Sequence, residues 1–484
     1  MPFPSHAVRK VAPRDPLPRR VPAARSGSGR AYAGPVSRPL LRVRAGADPA
    51  APGAGLPDGL LAGLAAALAG RGPALLPVDE ELPPAGVPVG RVPDEVALAV
   101  ATSGSTGEPR TVLLAAEALR TSARATADRL QGPGRWLLAL PVHHVAGLQV
   151  LVRSVLAGTE PVALPPGPFR PPAFVAATDA LVGDAGADAG AGTGAGAGAA
   201  RAPLYTSLVP TQLRRLLDDP AALDALRAFD AVLLGGAAPP ARLVSAARTA
   251  GVPVVVTYGM SETCGGCVYD GVPLDGVGVR VEDPDATGAG RVLLSGPVLA
   301  LGYAPGTAPH ISSSAAARPP GAVGGDLLPL DTSALVVLDG VPHLRTSDLG
   351  RWRDGRLEVL GRADDVVVTG GVNVAPAAVE RVLAEVPGVA EACVVGVPDD
   401  EWGRAVVALV VPSGRPPGLD EVRAAAAGAL GPAAAPRALL LVDALPLRGP
   451  GKVDRRAAAA LAAAAPAVAS RRAPVPPTAQ EDPS

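Results

Sequence analysis

Short apolar runs that stop at glycines or small hydroxyl residues recur through the middle of this chain, and they constrain its fold more than any other feature. The run 96–100 leads into Thr102-Ser-Gly-Ser-Thr-Gly107, 231–234 into Gly235-Gly236, and 252–257 into Tyr258-Gly259. A further run at 136–140 and helical patterns at 147–156 and 211–217 are interleaved with them. This alternation predicts an α/β domain with a mostly parallel sheet. In such sheets ligands bind beyond the carboxyl ends of the strands, which is where these glycines stand.

Past Gly361 the texture changes. Pro376 opens a helix running toward Glu385, 391–397 and 405–411 read as strands, and 420–430 reads as a second helix. A smaller C-terminal α+β domain is predicted over 362–460. The segment Gly361-Arg-Ala-Asp-Asp365 would join it, as a hinge, to a large N-terminal α/β domain over 51–361. Residues 1–50, rich in Arg, Pro, Ala and Gly, read as a disordered extension, so truncation near residue 45 is expected to leave activity intact. Segments 183–200 and 304–325 read as flexible insertions, and 461–484 as a loose tail.

Composition removes several classes of function. A formal net charge of −1, with scattered arginines and few aromatics, speaks against nucleic acid as a partner. No apolar run reaches the ~20 residues that span a bilayer, and the N-terminus lacks a secretory apolar core, so a cytoplasmic protein without membrane insertion is expected. Cys264, Cys267 and Cys393 suit a reducing compartment, and Cys264 with Cys267 lacks the second pair that structural zinc needs. His143 and His144 would point apart on a regular helix or strand, and no third metal ligand stands at suitable spacing.

Two features carry chemistry. In the loop, Ser103, Ser105 and Thr106 supply hydrogen-bond donors, and Gly104 and Gly107 let the backbone wrap closely around an anion such as phosphate. The Walker A spacing is absent. Of 44 cationic residues only Lys10 and Lys452 are lysines, and Lys10 falls in the extension. Lys452, in Gly449-Pro-Gly-Lys-Val-Asp-Arg455, offers a compact ammonium where a guanidinium would not fit.

Together with Tyr258-Gly-Met-Ser-Glu-Thr263, Thr346-Ser-Asp-Leu-Gly350, Gly361-Arg-Ala-Asp-Asp365 and Gly370-Gly-Val-Asn-Val374, these motifs resemble the acyl-adenylate-forming superfamily in order and spacing over 95–458. Pro141-Val-His-His-Val-Ala-Gly147, Ser207-Leu-Val-Pro-Thr-Gln-Leu213, Cys264-Gly-Gly-Cys267 and Leu294-Ser-Gly-Pro-Val298 are most similar to its o-succinylbenzoate–CoA ligases, particularly actinobacterial forms.

The resemblance implies ATP, Mg²⁺ and CoA as reactants. The succinyl carboxylate of o-succinylbenzoate would be adenylated and then passed to CoA, as in menaquinone biosynthesis. It implies that Thr102, Ser103, Gly104, Ser105, Thr106 and Gly107 hold the β- and γ-phosphates. Gly235, Gly236, Ala237 and Tyr258 would flank adenine, with Gly259, Met260 and Ser261 continuing the nucleotide wall. Glu262 would position Mg²⁺, and Asp348 and Arg362 would meet the ribose. Lys452 would bridge the attacking carboxylate and the α-phosphate, and His144 would border the acyl pocket. Asp364 would be the hinge whose rotation brings Gly370 and Gly371 to pantetheine. Ser207, Thr211 and Gln212 are candidate donors to the acid, and Arg153 or Arg214, both read as surface arginines, is a candidate for its second carboxylate. Cys264 and Cys267 would line the pocket as small residues. Ser347 and Ser261 depart from the family pattern, which has Gly and often Thr there. A homodimer is left open. Another aryl- or acyl-CoA ligase is the alternative activity; a silent adenylate-binding protein would have lost Lys452 or Glu262, and both are present.

Overall fold

The computed structural model describes residues 37–44, 59–79, 88–103, 109–191, 201–304, 327–448 and 452–465. Among them, one sheet has six strands in the order Gly302–Ala304, Pro109–Ala115, Val96–Ser103, Ala74–Val78, Ser37–Arg44, Pro88–Pro93. Only Ser37–Arg44, Ala74–Val78 and Val96–Ser103 run parallel, so this sheet is mixed.

Ser37–Arg44 corrects the expected disordered extension. It is an interior strand with Leu40 fully buried. Arg38 also turns inward, and its guanidinium donates to the Ala67 carbonyl at 3.2 Å and pairs with Asp94. An inward, paired arginine beside two leucines masks the strand period. Truncation at residue 45 would unpair the strands on both sides of it. The remainder of 1–50 lies outside the described residues.

The second sheet, of seven strands, follows the order Val272–Pro273, Gly265–Tyr269, Val254–Met260, Ala231–Leu234, Leu204–Leu208, Arg135–Leu138, Val162–Ala163. The strands from Val254–Met260 to Val162–Ala163 are parallel, with helices Val145–Ala157, Pro210–Leu217 and Ala241–Thr249 among the connections. Helix Pro171–Ala191 corrects the expected insertion over 183–191, because alanine carries the helix onward. Residues 192–200, and 305–325 of the second expected insertion, lie outside the described residues; Ala304 ends a strand.

The alternating pattern does not predict the third sheet. There Gly278–Glu282, Gly290–Ser295, Val341–Arg353 and Leu335–Leu338 pair antiparallel, and Arg356–Arg362 joins Val341–Arg353. Asp348 therefore sits inside a 13-residue strand.

Beyond the 3₁₀ turn Ala363–Asp365 the chain buries a core of its own. Helices Pro376–Ala384 and Leu419–Leu430 pack on strands Val389–Asp399, Gly403–Pro412 and Ala438–Leu441. Helix Arg455–Ala464 covers the other face through Ala458 and Ala462. It runs past residue 460, which corrects the expected start of the loose tail; 466–484 lie outside the described residues. No helix among the described residues is long and apolar enough to cross a membrane.

Candidate active site

The strand Val254–Met260 ends against Gly265–Tyr269 so closely that a β-carbon on Gly259 would lie 2.0 Å from the Gly265 carbonyl oxygen. Met260 closes the strand and Ser261 begins a 3₁₀ turn, Ser261–Thr263. The Thr263 hydroxyl accepts from the Met260 amide at 3.0 Å and donates to the Gly265 carbonyl at 2.7 Å. This pinned turn presents Glu262, whose Oε1 accepts from the Tyr303 hydroxyl at 2.9 Å. Arg110 lies over the Tyr303 ring, 5.4 Å from its centroid. Sequence reasoning misses Tyr303 and Arg110 because they approach Glu262 from another sheet; Gly302-Tyr303 after an apolar stretch is the one local signal.

Arg110 belongs to the hairpin of Val96–Ser103 and Pro109–Ala115, where it faces Thr102. Thr102 and Ser103 are thus strand residues rather than loop residues, because the ladder continues to Pro109. The Thr102 hydroxyl donates to the Arg110 carbonyl at 3.2 Å. Gly104, Ser105, Thr106 and Gly107 lie outside the described residues.

At the neighbouring strand end, a β-carbon on Gly235 would meet the Thr257 hydroxyl oxygen at 2.4 Å, and Gly236 takes φ +82°, ahead of half-buried Ala237. Tyr258 donates from its hydroxyl to Asp348 Oδ2 at 2.7 Å, and Arg362 Nη1 lies 3.9 Å from Asp348 Oδ1. Burial lifts the Asp348 carboxyl above its ordinary value, against the pull of Tyr258, Arg362 and Lys452. Burial and the Asp348 carboxylate also raise the Tyr258 phenol, which stays a donor. Arg362 pairs with Asp364 at 2.9 Å.

His144 precedes helix Val145–Ala157, and its ring lies 4.3 Å from that of His143, centroid to centroid. The two do not point apart as expected, because they occupy a turn rather than a regular element. Burial, then His143, then Lys452 lower the His144 pKa to about 4, which leaves the imidazole neutral near pH 7. The Lys452 charge acts on both His144 and Asp348, so the smaller domain brings its lysine near these two residues. Backbone bonds Arg448 to Lys452 (2.7 Å) and Asp454 to Pro446 (2.8 Å) close the hairpin that carries it. Arg455 then bridges Asp365 at 2.9 Å and Glu380 at 2.5 Å, tying this hairpin to the turn that holds Asp364.

The acid-side candidates divide sharply. Arg214 donates to the Ala390 carbonyl at 2.7 Å, across to the smaller domain, and Arg242 reaches the Val389 and Ala390 carbonyls. Gln212 donates to the Ala139 carbonyl at 2.9 Å and accepts from the Val209 amide at 3.0 Å, so it anchors its helix instead of facing a ligand. Ser207 is buried and Thr211 half-buried beside it. Cys264 and Cys267, 0% and 1% exposed, pack in the core. Burial raises both thiols, Cys267 to about 12, so neither is a thiolate.

Arg153 is not a surface residue: it is 7% exposed. Its guanidinium lies 4.8 Å from the Trp136 ring centroid, with Nη2 at 3.3 Å from the Thr126 hydroxyl and 3.4 Å from that of Tyr269. No acidic side chain among the described residues pairs with it. One turn earlier, Gln149 is 1% exposed, and neither its amide nitrogen nor its amide oxygen has a partner.

Residues 67–304 match the AMP-binding enzyme family, and 378–452 match the AMP-binding enzyme C-terminal domain. A probable 2-succinylbenzoate–CoA ligase of Mycobacterium tuberculosis is 43% identical over 82% of this chain and 94% of that protein. The chain belongs to the AMP-binding enzyme family. A medium/long-chain-fatty-acid–CoA ligase of the same organism is 32% identical over 75% of this chain and 61% of that protein. The o-succinylbenzoate–CoA synthetase of Bacillus subtilis, solved with its acyl-adenylate intermediate, aligns with a TM-score of 0.57 at 26% identity, over 79% of this chain and 74% of that one.

AMP-binding enzymes that form acyl-CoA use ATP with Mg²⁺, and CoA as co-substrate. Glu262 suits Mg²⁺ as a hard oxygen donor on a pinned turn. Among the described residues there is no cluster of three or more His, Cys, Asp or Glu. Mg²⁺ is commonly held by one carboxylate together with substrate phosphates and water. In the smaller domain, Gly370 (φ +54°) and Gly371 (φ +79°) turn between strands Val367–Thr369 and Val372–Val374, and Trp402 leaves no room for a β-carbon on Gly370.

Proposed function

We propose that this AMP-binding enzyme is a 2-succinylbenzoate–CoA ligase, joining the succinyl carboxylate first to AMP and then to CoA. Arg153 carries the choice of substrate. It is a buried guanidinium without an acidic partner among the described residues. A buried charge calls for an anion. A diacid that reacts at one carboxylate leaves the second free to supply it. A fatty acid, as named for the 32%-identical relative, has no second carboxylate.

In this reading Thr102 to Gly107 cradle the β- and γ-phosphates, and Gly235 to Ala237 with Tyr258 to Ser261 flank the adenine. Asp348 accepts from the ribose hydroxyls with Arg362 beside it. Glu262 holds Mg²⁺, which when bound neutralises phosphate charge. Neutral His144 borders the acyl channel. Lys452 bridges the substrate carboxylate and the α-phosphate. The carboxylate oxygen attacks the α-phosphorus, pyrophosphate leaves, and the fixed ammonium stabilises the charge spreading over the α-phosphate oxygens. The smaller domain then turns about Asp364, Lys452 withdraws, and the Gly370-Gly371 turn admits pantetheine. The CoA thiolate attacks the acyl carbonyl and AMP leaves. Three unpaired cysteines support a cytoplasmic setting.

The test is pyrophosphate release from the purified protein with ATP, Mg²⁺ and 2-succinylbenzoate, followed by thioester formation when CoA is added. Lys452→Ala should abolish release. Release only with another acid would discard this substrate and keep the chemistry; none with any acid would leave an adenylate-binding protein without activity.

A further inference from the structure

We infer that Gln149 determines specificity by donating a hydrogen bond from its side-chain amide to the keto oxygen of the acid, an inference that rests on the proposed function. A fully buried amide with neither atom partnered is unfavourable in a finished core, and it is resolved when a ligand supplies the partner. The position is defined on two sides. A β-carbon at Gly265 would stand 3.3 Å from Gln149 Cγ, so the side chain lies against the strand start that follows Glu262. Arg153 is four residues further along the same helix and shares its face.

His144 at the N-terminal end of this helix, then Gln149 and Arg153 within it, therefore follow one another along its axis, at about 1.5 Å of rise per helical residue. The acid presents its polar groups in the same order: the reacting carboxylate, the ketone two methylenes away, and the ring carboxylate ortho to it. With the reacting end at His144 and Lys452 and the ring carboxylate at Arg153, the ketone falls opposite Gln149. A ketone oxygen only accepts, and the amide nitrogen has hydrogens to give. The other buried candidate, Gln212, already spends its amide on Ala139 and Val209.

Three acids separate the roles: 2-succinylbenzoate, 4-(2-carboxyphenyl)butanoate, which has a methylene for the ketone, and 4-oxo-4-phenylbutanoate, which lacks the ring carboxylate. Wild-type kcat/KM should favour the ketone over the methylene acid by roughly tenfold or more. In Gln149→Leu that ratio should fall to about one, while the preference for the ring carboxylate persists. Gln149→Met, which keeps the chain length, should behave alike if the leucine variant folds poorly. An unchanged ketone preference in the folded variants, with ring-carboxylate preference intact in wild type, overturns the role of Gln149 alone. Wild-type protein inactive toward all three acids, or indifferent to the ring carboxylate, overturns the substrate reading and this inference with it.

Discussion

Replacing Arg153 with methionine should stabilise the fold and cripple the reaction, two effects of opposite sign from one residue. The losses on the folding side are small. The contact with Trp136 is worth up to about 2 kcal/mol. The hydrogen bonds at 3.3 and 3.4 Å are long and together add roughly 1 kcal/mol. Thr126 and Tyr269 already bond each other at 3.0 Å, so removing the guanidinium orphans neither hydroxyl. Against this stands the desolvation of an unpaired buried cation, several kcal/mol, in keeping with the way burial lowers the Arg153 pKa. Methionine refills most of the volume with apolar surface. The net gain in unfolding free energy should be about 1–3 kcal/mol, measured by urea denaturation without ligands. Over the same substitution, kcat/KM for 2-succinylbenzoate should fall by ~3 kcal/mol, roughly a hundredfold, because a desolvated charge pair is lost. The acid without a ring carboxylate should be little affected. A variant destabilised by more than about 2 kcal/mol that still discriminates between the two acids would show Arg153 to be a structural cation, and the reasoning would fail.

Three further outcomes are expected. Gly259→Ala would drive a β-carbon into the Gly265 carbonyl and should cost about 3 kcal/mol in urea unfolding; wild-type stability would mean the two strands separate freely. Arg214→Ala with Arg242→Ala removes the contacts to the Val389 and Ala390 carbonyls and should slow pyrophosphate formation roughly tenfold while sparing thioester formation from supplied acyl-adenylate. Equal slowing of both steps would deny these arginines a role in holding the adenylating orientation. Burial, His143 and Lys452, opposed by Asp79, hold His144 near 4 against an ordinary 6.5, so between those values the unfolded chain binds the extra proton and stability falls as pH drops. His144→Gln should flatten part of that slope in Tm against pH, and an unaltered slope would assign it to other groups.

Much of the second sheet and of the smaller domain is legible locally. Strands Ala231–Leu234 and Val254–Met260 and helices Pro376–Ala384 and Leu419–Leu430 lie where hydrophobic period and helix punctuation put them. The third sheet is not legible, because antiparallel strands such as Val341–Arg353 take their burial from partners distant in sequence. Ser37–Arg44 hides for a related reason: its inward Arg38 finds Asp94 and the Ala67 carbonyl only in the folded chain.

The sequence by itself determines the order of the adenylate motifs, the single lysine of the described residues, and the glycines at the strand ends, since these are matters of residue type and spacing. Only the tertiary structure decides how polar groups are compensated. It spends Arg214 on a carbonyl of the smaller domain and Gln212 on the Ala139 carbonyl, sinks Cys264 and Cys267 into the core, and brings Tyr303 to Glu262. It leaves Arg153 buried without an acidic partner among the described residues, and Gln149 buried with neither amide atom partnered. Whether a charge or an amide is satisfied depends on the neighbours that folding assembles around it, and no local stretch of chain contains them.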